Sequence, residues 1–322
     1  RSNTGTGTKI GIVFDTDEED EEWGEHECRA SQILAEDTEF VPKIFRLLDT
    51  LKTEKELRVR CWNLLMDIPT NLAISNTLSK PSQLCGETFQ EKNIYRFIYT
   101  MQYMYSRLEG NDEDMEEDDE CREWQLRFLK SNGLEYVFRF FSTHNQTGLS
   151  GEDFVLQEGL RVALRIVELF LVSNSIDNDN IFVSPKWLSI LIEILNAPKL
   201  GSRVDILRIA VSNVESLTSM YRMNGLLSKS QDLRDALYRS VAVGSSPPFL
   251  RLLLRAPSHF LREQISRMIL DLCSSSGVIQ ASDVIERWAQ VLNETNTRDN
   301  DWTDSEQFFY LMQKLVSSSS RT

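Results

Sequence analysis

The sequence predicts an all-α chain, an irregular α-solenoid of roughly thirteen helices. Three observations predict it. Apolar residues recur every three or four positions along most of the 322 residues, and no extended run alternates apolar with polar side chains as a half-buried strand does. Only 14 glycines and 8 prolines are present, too few for a turn-rich sheet protein. The third observation is the stretch WQLRFLKSNGLEYVFRFFS, residues 124 to 142. Trp124, Phe128 and Leu129 lie on one side of Asn132-Gly133, and Leu134, Val137, Phe138 and Phe141 on the other, each set at helical spacing. Gly133 suits the left-handed residue that ends a helix, with Asn132 the next most tolerant. Two helices this short, joined this tightly, leave apolar surface that only neighbouring pairs can cover, which is the logic of helical repeats.

Taken in order, residues 1 to 38 read as a linker: a Thr/Gly-rich start, a strand-like Lys9 to Phe14 and an acidic run, as if the chain began inside a longer protein. The solenoid is expected over 39 to 316. Its first helix runs from about Glu39 to Leu51 with Phe40, Ile44, Leu47, Leu48 and Leu51 on one face. Thr53-x-x-Glu56 reads as a capping box, followed by a stripe of Leu57, Cys61, Leu64, Leu65 and Ile68 and a stop at Pro69. Cys61 in that stripe is a small core hydrophobe. Asn93 to Leu108 is next, with Ile94, Phe97, Ile98, Met101, Tyr105 and Leu108 on one face. Beyond the central hairpin, Ser150-x-x-Asp153 opens a helix lined by Leu156, Leu160, Ala163, Leu164, Val167 and Leu171. Ser184-Pro185 opens another that ends at Asn196-Ala197-Pro198, and Ser202-x-x-Asp205 opens one running to Asn224-Gly225. Ser230, Ser246-Pro247-Pro248, Ser258, Ser282 and Thr303-x-x-Glu306 each precede a further helical pattern. Helix pairs recur at irregular intervals of about 30 to 50 residues. Residues 317 to 322 read as a Ser-rich tail.

The formal charge of -14 is unevenly spread. Asp15 to Glu27 holds nine acids and no base, and Asp112 to Glu123 nine acids and one base, so the rest of the chain is near neutral. Both runs read as solvated, disordered loops, and neither has the alternating acids and mid-loop glycine of a calcium loop. A nucleic-acid surface would need clustered Lys and Arg, which are absent. Leu160 to Val172 is interrupted by Arg161, Arg165 and Glu168 and cannot span a bilayer. Five cysteines, Cys28, Cys61, Cys85, Cys121 and Cys273, without a C-x-x-C pair, favour neither a disulfide framework nor a zinc site. No cofactor is expected. The absence of a signal-like start points to an intracellular protein, cytoplasmic with the nucleus also open.

The stretches IFRLLDTLKTEKELRVRCWNLLMDIPTN (44 to 71), NIYRFIYTMQYMYSRLEG (93 to 110) and WQLRFLKSNGLEYVFRFF (124 to 141) carry a resemblance. Together they resemble the armadillo-like helical region of the very large ubiquitin-specific proteases of the fat facets type. In that family a leucine-rich helix ends at a Leu-Pro-Thr-like turn, a tyrosine-rich helix follows, and a Trp…Phe-Leu…Gly-Gly-Leu hairpin comes after it. The likeness covers about residues 35 to 175, with Asn132-Gly133 in place of the glycine pair. It implies an armadillo/HEAT-like fold and a parent chain that is a thiol-dependent deubiquitinase. Lys9 to Phe14 would then be the tail of a preceding ubiquitin-like domain. The chemistry does not come with it. No cysteine here lies in a box resembling Gly-Leu-x-Asn-x-x-Asn-x-Cys-Tyr, and His26, His144 and His259 are followed by Glu, Asn and Phe rather than by a His-Tyr-x-Ala context. Without a Cys activated by a placed His, thiol hydrolysis has no mechanism in this segment.

Two functions are therefore expected. The first is a non-catalytic scaffold segment of a large ubiquitin-specific protease, with ubiquitin, a ubiquitinated substrate or the parent's own catalytic domain as partners and neither nucleic acid nor membrane. The alternative is a free-standing solenoid adaptor. The candidate partner-binding residues are Tyr95, Tyr99 and Tyr103, which step by four along one helix and point 100° to 180° away from Ile94. Either they pack as core of an inner helix or they anchor a partner in a groove.

Overall fold

The computed structural model describes residues 31–37, 39–51, 53–78, 80, 93–109, 117–144, 154–173, 182, 184–196, 203–243, 247–256, 258–274, 279–295 and 306–319. Of these, 88% are helical and none lies in a strand, so the described residues are all-α as expected. After a helical turn over 31–36 come α1 (Phe40–Thr50), α2 (Lys55–Asp67), α3 (Leu72–Leu78), α4 (Ile94–Glu109), α5 (Glu117–Lys130), α6 (Gly133–His144) and α7 (Phe154–Ser173). Then follow α8 (Pro185–Asn196), α9 (Val204–Met223), α10 (Leu226–Lys229), α11 (Gln231–Ala242), α12 (Pro248–Arg255), α13 (His259–Ser274), α14 (Ala281–Thr295) and α15 (Glu306–Ser319). That makes 16 among the described residues, against roughly thirteen expected. The additions, 31–36, α3 and α10, are too short to show a period. The strand-like Lys9 to Phe14, the run Asp15 to Glu27 and the Ser150, Ser202 and Thr303 caps lie outside the described residues.

The chain divides into two compact units, one through Asn76 and one from Thr77, so the division falls within α3 and within the stretch read as one body. In the first unit α1 packs on α2. The buried residues are Val41, Phe45 and Leu48 on α1 and Arg58, Trp62 and Leu65 on α2. Of the expected faces Leu48, Leu65 and Ile68 are buried, but each face shifts toward a neighbouring stripe: Leu47 is 40% exposed, Leu57 48% and Leu64 44%. Cys61 is half-buried rather than core. Two helical stripes compete on α2, and the one holding the large Trp62 ring gains more from burial than the one holding two leucines. The capping box does not form either. The N-cap is Glu54 without a side-chain bond, and Glu56 instead receives Arg60 Nη2 at 2.6 Å. Asn71 supplies the local order: its Oδ1 accepts the Ala73 N–H at 3.1 Å and its Nδ2 donates to the Ala35 carbonyl at 2.9 Å.

The second unit contains two rows of helices. In the first row α4 packs on α7, α7 on α9, α9 on α13 and α13 on α15; in the second, α6 packs on α8, α8 on α11 and α11 on α14. Contacts α6 to α7, α8 to α9 and α14 to α15 join the rows, with α5 between α4 and α6 and α12 between α11 and α13. The hydrogen bonds that tie successive members connect residues at a recurring separation: 46 for Arg203 to Gln157, 49 for Asn213 to Leu164, 49 for Gln264 to Glu215, 51 for Lys186 to Glu135 and 47 for Trp288 to Val241. Residue numbers rise together across the α4–α7, α7–α9 and α9–α13 seams, so these four helices run parallel.

The central hairpin forms as expected, with Trp124, Phe128, Leu129, Leu134, Val137, Phe138 and Phe141 all buried. Its turn corrects the reading of Gly133. Asn132, φ 57°, is the left-handed residue, and Gly133 is the first residue of α6. Glycine is required there for space: a Cβ would lie 2.3 Å from Cε2 and Cζ of the Phe128 ring. The acidic run is corrected too, because α5 begins at Glu117 and takes Glu117 to Glu120 into its first turn. The helix thus extends into the run instead of starting at Trp124. Elsewhere the caps hold. Ser230 and Ser258 accept the N–H groups of Leu233 and Leu261, and Gly225, φ 66°, closes α9. Ser282 lies inside α14, and α15 runs on through Ser317 to Ser319.

Candidate interaction surface

Helix α4 carries the three tyrosines. Asn93 Oδ1 starts it by accepting the N–H groups of Tyr95 at 3.0 Å and Arg96 at 3.1 Å. Its first three turns are buried on opposite sides, by Tyr95 and Tyr99 on one and Phe97, Ile98 and Met101 on the other. Tyr99 is fully buried, and the half-buried Tyr103 meets it edge-on with ring centroids 4.7 Å apart. Tyr95 and Tyr99 thus sit in the packed interior, and of the three only Tyr103 presents ring surface. Close approach is needed on the far side, where a Cβ on Gly159 of α7 would lie 2.7 Å from Ile98 Cγ1.

Where α4 nears its end it opens to a polar surface that continues across the first row. Tyr105 donates its hydroxyl to Glu109 Oε1 at 2.6 Å. Burial pushes its pKa up to about 12, helped by the Glu109 hydrogen bond and charge and opposed by Arg165 and Arg161 of α7. On α7, Arg161 pairs with Glu158 and Arg165 with Glu168, the latter at 2.6 Å. Ser212 of α9 donates to Glu168 Oε1 at 3.1 Å, Arg203 reaches Gln157, Gln264 of α13 donates to Glu215 at 2.9 Å, and Arg222 pairs with Asp271 at 2.5 Å. The ladder has polar groups at helical spacing on α7, α9 and α13, with α7 linked to α9 and α9 to α13. The face is polar, and Phe260 of α13, 54% exposed, is an apolar residue on the same helix as Gln264 and Asp271.

Of the described thiols, Cys273 is a poor nucleophile. Desolvation pushes Cys273 up to about 12, so it is protonated at neutral pH, the reverse of an activated cysteine. Cys61 is half-buried and in no disulfide. Cys28, Cys85 and the Cys121 side chain fall outside the described residues, as do His26 and the His144 side chain. No group of three or more metal-ligating side chains occurs among the described residues, and no described helix is long and apolar enough to cross a membrane.

Sequence reasoning missed the ladder and a pair of tryptophan anchors. Trp124 Nε1–H donates to the Leu78 carbonyl at 2.5 Å and Trp288 Nε1–H to the Val241 carbonyl at 2.6 Å, each near the end of a helix 46 or 47 residues earlier. Each tryptophan is the eighth residue of its helix, and that shared position is the signal by which the pair could have been found. The chain matches no family model, no curated protein and no solved structure.

Proposed function

We propose that the chain is a non-catalytic α-solenoid scaffold within a large ubiquitin-specific protease, where it organises access of ubiquitin or a ubiquitinated substrate to a catalytic domain elsewhere in the polypeptide. The observation that carries the solenoid reading is the recurring separation of 46 to 51 residues between hydrogen-bonded neighbours in each row, at and just above the roughly 40 to 47 residues of an armadillo or HEAT repeat. The link to a deubiquitinase rests on the resemblance over about residues 35 to 175. A scaffold role agrees with a high-pKa thiol at Cys273 and with a polar, laterally continuous first-row face.

The test is labelling with a cysteine-trapping ubiquitin probe of the endogenous polypeptide that contains this segment, followed by peptide mapping. Capture on a cysteine outside residues 1 to 322 is the expected result. Capture on Cys28, Cys61, Cys85, Cys121 or Cys273 overturns the non-catalytic reading. A polypeptide that the probe does not capture at all overturns the protease reading and leaves the free-standing adaptor.

A further inference from the structure

Interior helices of the first row bury two flanks that lie one residue apart. In α9 these are Ile206/Leu207, Ala210/Val211, Asn213/Val214 and Leu217/Thr218; in α13 they are Ile265/Ser266 and Met268/Ile269. One residue turns a helix surface by about 100°, so one flank serves the preceding helix and the other the following one. Helix α15 ends the row. It buries Phe308, Leu311 and Leu315 toward its neighbours. The residues one further on are Phe309, Met312 and Val316, apolar at the positions where α9 and α13 carry their second flank. Here Phe309 is 69% exposed, Val316 51% and Met312 half-buried, with Tyr310 beside them at 51%.

Row-ending helices that face water carry a polar outer side. Helix α14, last of the second row, does so with Ser282, Asp283, Glu286, Gln290 and Asn293 exposed. Helix α15 does not. From this continuity with the row's own stacking interface we infer that Phe309, Met312 and Val316 form a docking flank for one further helix, supplied by the same polypeptide downstream of this segment. The inference rests on the reading of the chain as part of a longer protein. The occupant has apolar residues at i, i+3 or i+4, and i+7, and a carboxylate facing Lys314, the one charge between Phe309 and Ser317. Lys314 already lies against this flank, its Nζ 5.4 Å from the Tyr310 ring centroid. A second copy fits worse. The exposed parts of the two aromatic rings amount to about 250 Å², whereas a stable dimer buries roughly 800 Å² per partner.

Hydroxyl-radical footprinting of the 322-residue chain and of the full-length polypeptide tests this. Oxidation of Phe309, Tyr310 and Met312 should fall about five-fold or more in the full-length protein, as for side chains that pass into a packed contact. Phe260 in the polar face should change little. Equal oxidation in the two proteins overturns the inference, and so does protection that appears in the short chain alone as its concentration rises, which would assign the flank to a second copy. Phe309→Ser supplies the control for folding. It should leave the Tm of the short chain unchanged and restore oxidation of Tyr310 in the full-length protein; continued protection of Tyr310 there counts against the flank. These outcomes are read without the ubiquitin probe, so a downstream region without a thiol nucleophile would defeat the protease reading while leaving the docked helix intact.

Discussion

The α1–α2 pair and the two rows of the second unit answer differently to the same periodic sequence. In the rows, the hairpin residues Trp124 to Phe141 read as core are core, and α4, α7 and α9 bury residues over most of their circumference. In the pair, the helices were rightly expected and Leu48, Leu65 and Ile68 are buried as read, but the rest of each inward face falls on a neighbouring stripe, so that Leu57 and Leu64 face out and Trp62 faces in. A helix packed on several sides forgives an error of one residue, since both neighbouring stripes are buried. A helix packed on one side does not, and the bulkiest ring decides.

The largest expected effect tests that contrast directly. Trp62→Ala should cost the first unit about 3 to 5 kcal/mol, while Leu57→Ala should stay within about 1 kcal/mol. Chemical denaturation of the two variants checks it, and equal losses would restore the face expected from the sequence. In the second unit Trp288→Ala should cost at least as much as Trp62→Ala does in the first, because it also strips the Val241 carbonyl of its 2.6 Å donor.

Tyr99→Ala comes next. As a fully buried ring it should lower stability by about 3 to 5 kcal/mol, and Tyr103→Ala, half-buried, by about 1 kcal/mol. A Tyr99 variant as stable as the parent but weaker for a partner would return the tyrosines to the role of anchors.

A smaller effect distinguishes the two residues of the hairpin turn. Gly133→Ala should cost about 1 to 3 kcal/mol because its Cβ collides with Phe128, whereas Asn132→Gly should be neutral or slightly stabilising. The reverse order of thermal midpoints would put the left-handed residue at 133. The smallest effect is in pH. Tyr105 is raised to about 12 and Tyr221 is raised by burial as well. Their contribution is complete below pH 10, the unfolded value, and is lost as pH climbs toward 12, because the unfolded chain releases those protons first. Denaturation midpoints between pH 9 and about 11.5 should fall, and less steeply in Tyr105→Phe; parallel curves would remove the assignment.

Much of the fold was legible because helix starts are chemical: Asn93, Ser230 and Ser258 cap where their side chains allow. The failures also have physical causes. Thr53-x-x-Glu56 fails as a box because the helix starts one residue later, with Glu54 at its N-cap, and the glycine of Asn132-Gly133 was credited with its backbone freedom when its value is the space it leaves for Phe128. The candidate site was less legible. The tyrosine stripe was geometrically right, yet the ladder from Gln157 to Asp271 joins residues more than forty positions apart, and no local period reveals such pairs.

The parallel course of α4, α7, α9 and α13 has an electrical consequence. Each helix carries about half a positive charge at its N-terminus and half a negative charge at its C-terminus. With the four aligned, the edge at Ile94, Phe154, Val204 and His259 is the positive side of a standing transverse dipole, and the edge at Glu109, Ser173, Met223 and Ser274 the negative side. Side by side, such dipoles repel, and Asp205 in the first turn of α9 with Arg222 in its last oppose that repulsion. The row is therefore polarised across its width independently of its net charge. In a pulsed electric field it should turn to a preferred orientation, and a charged molecule approaching at low salt would meet attraction at one edge of the row and rejection at the other.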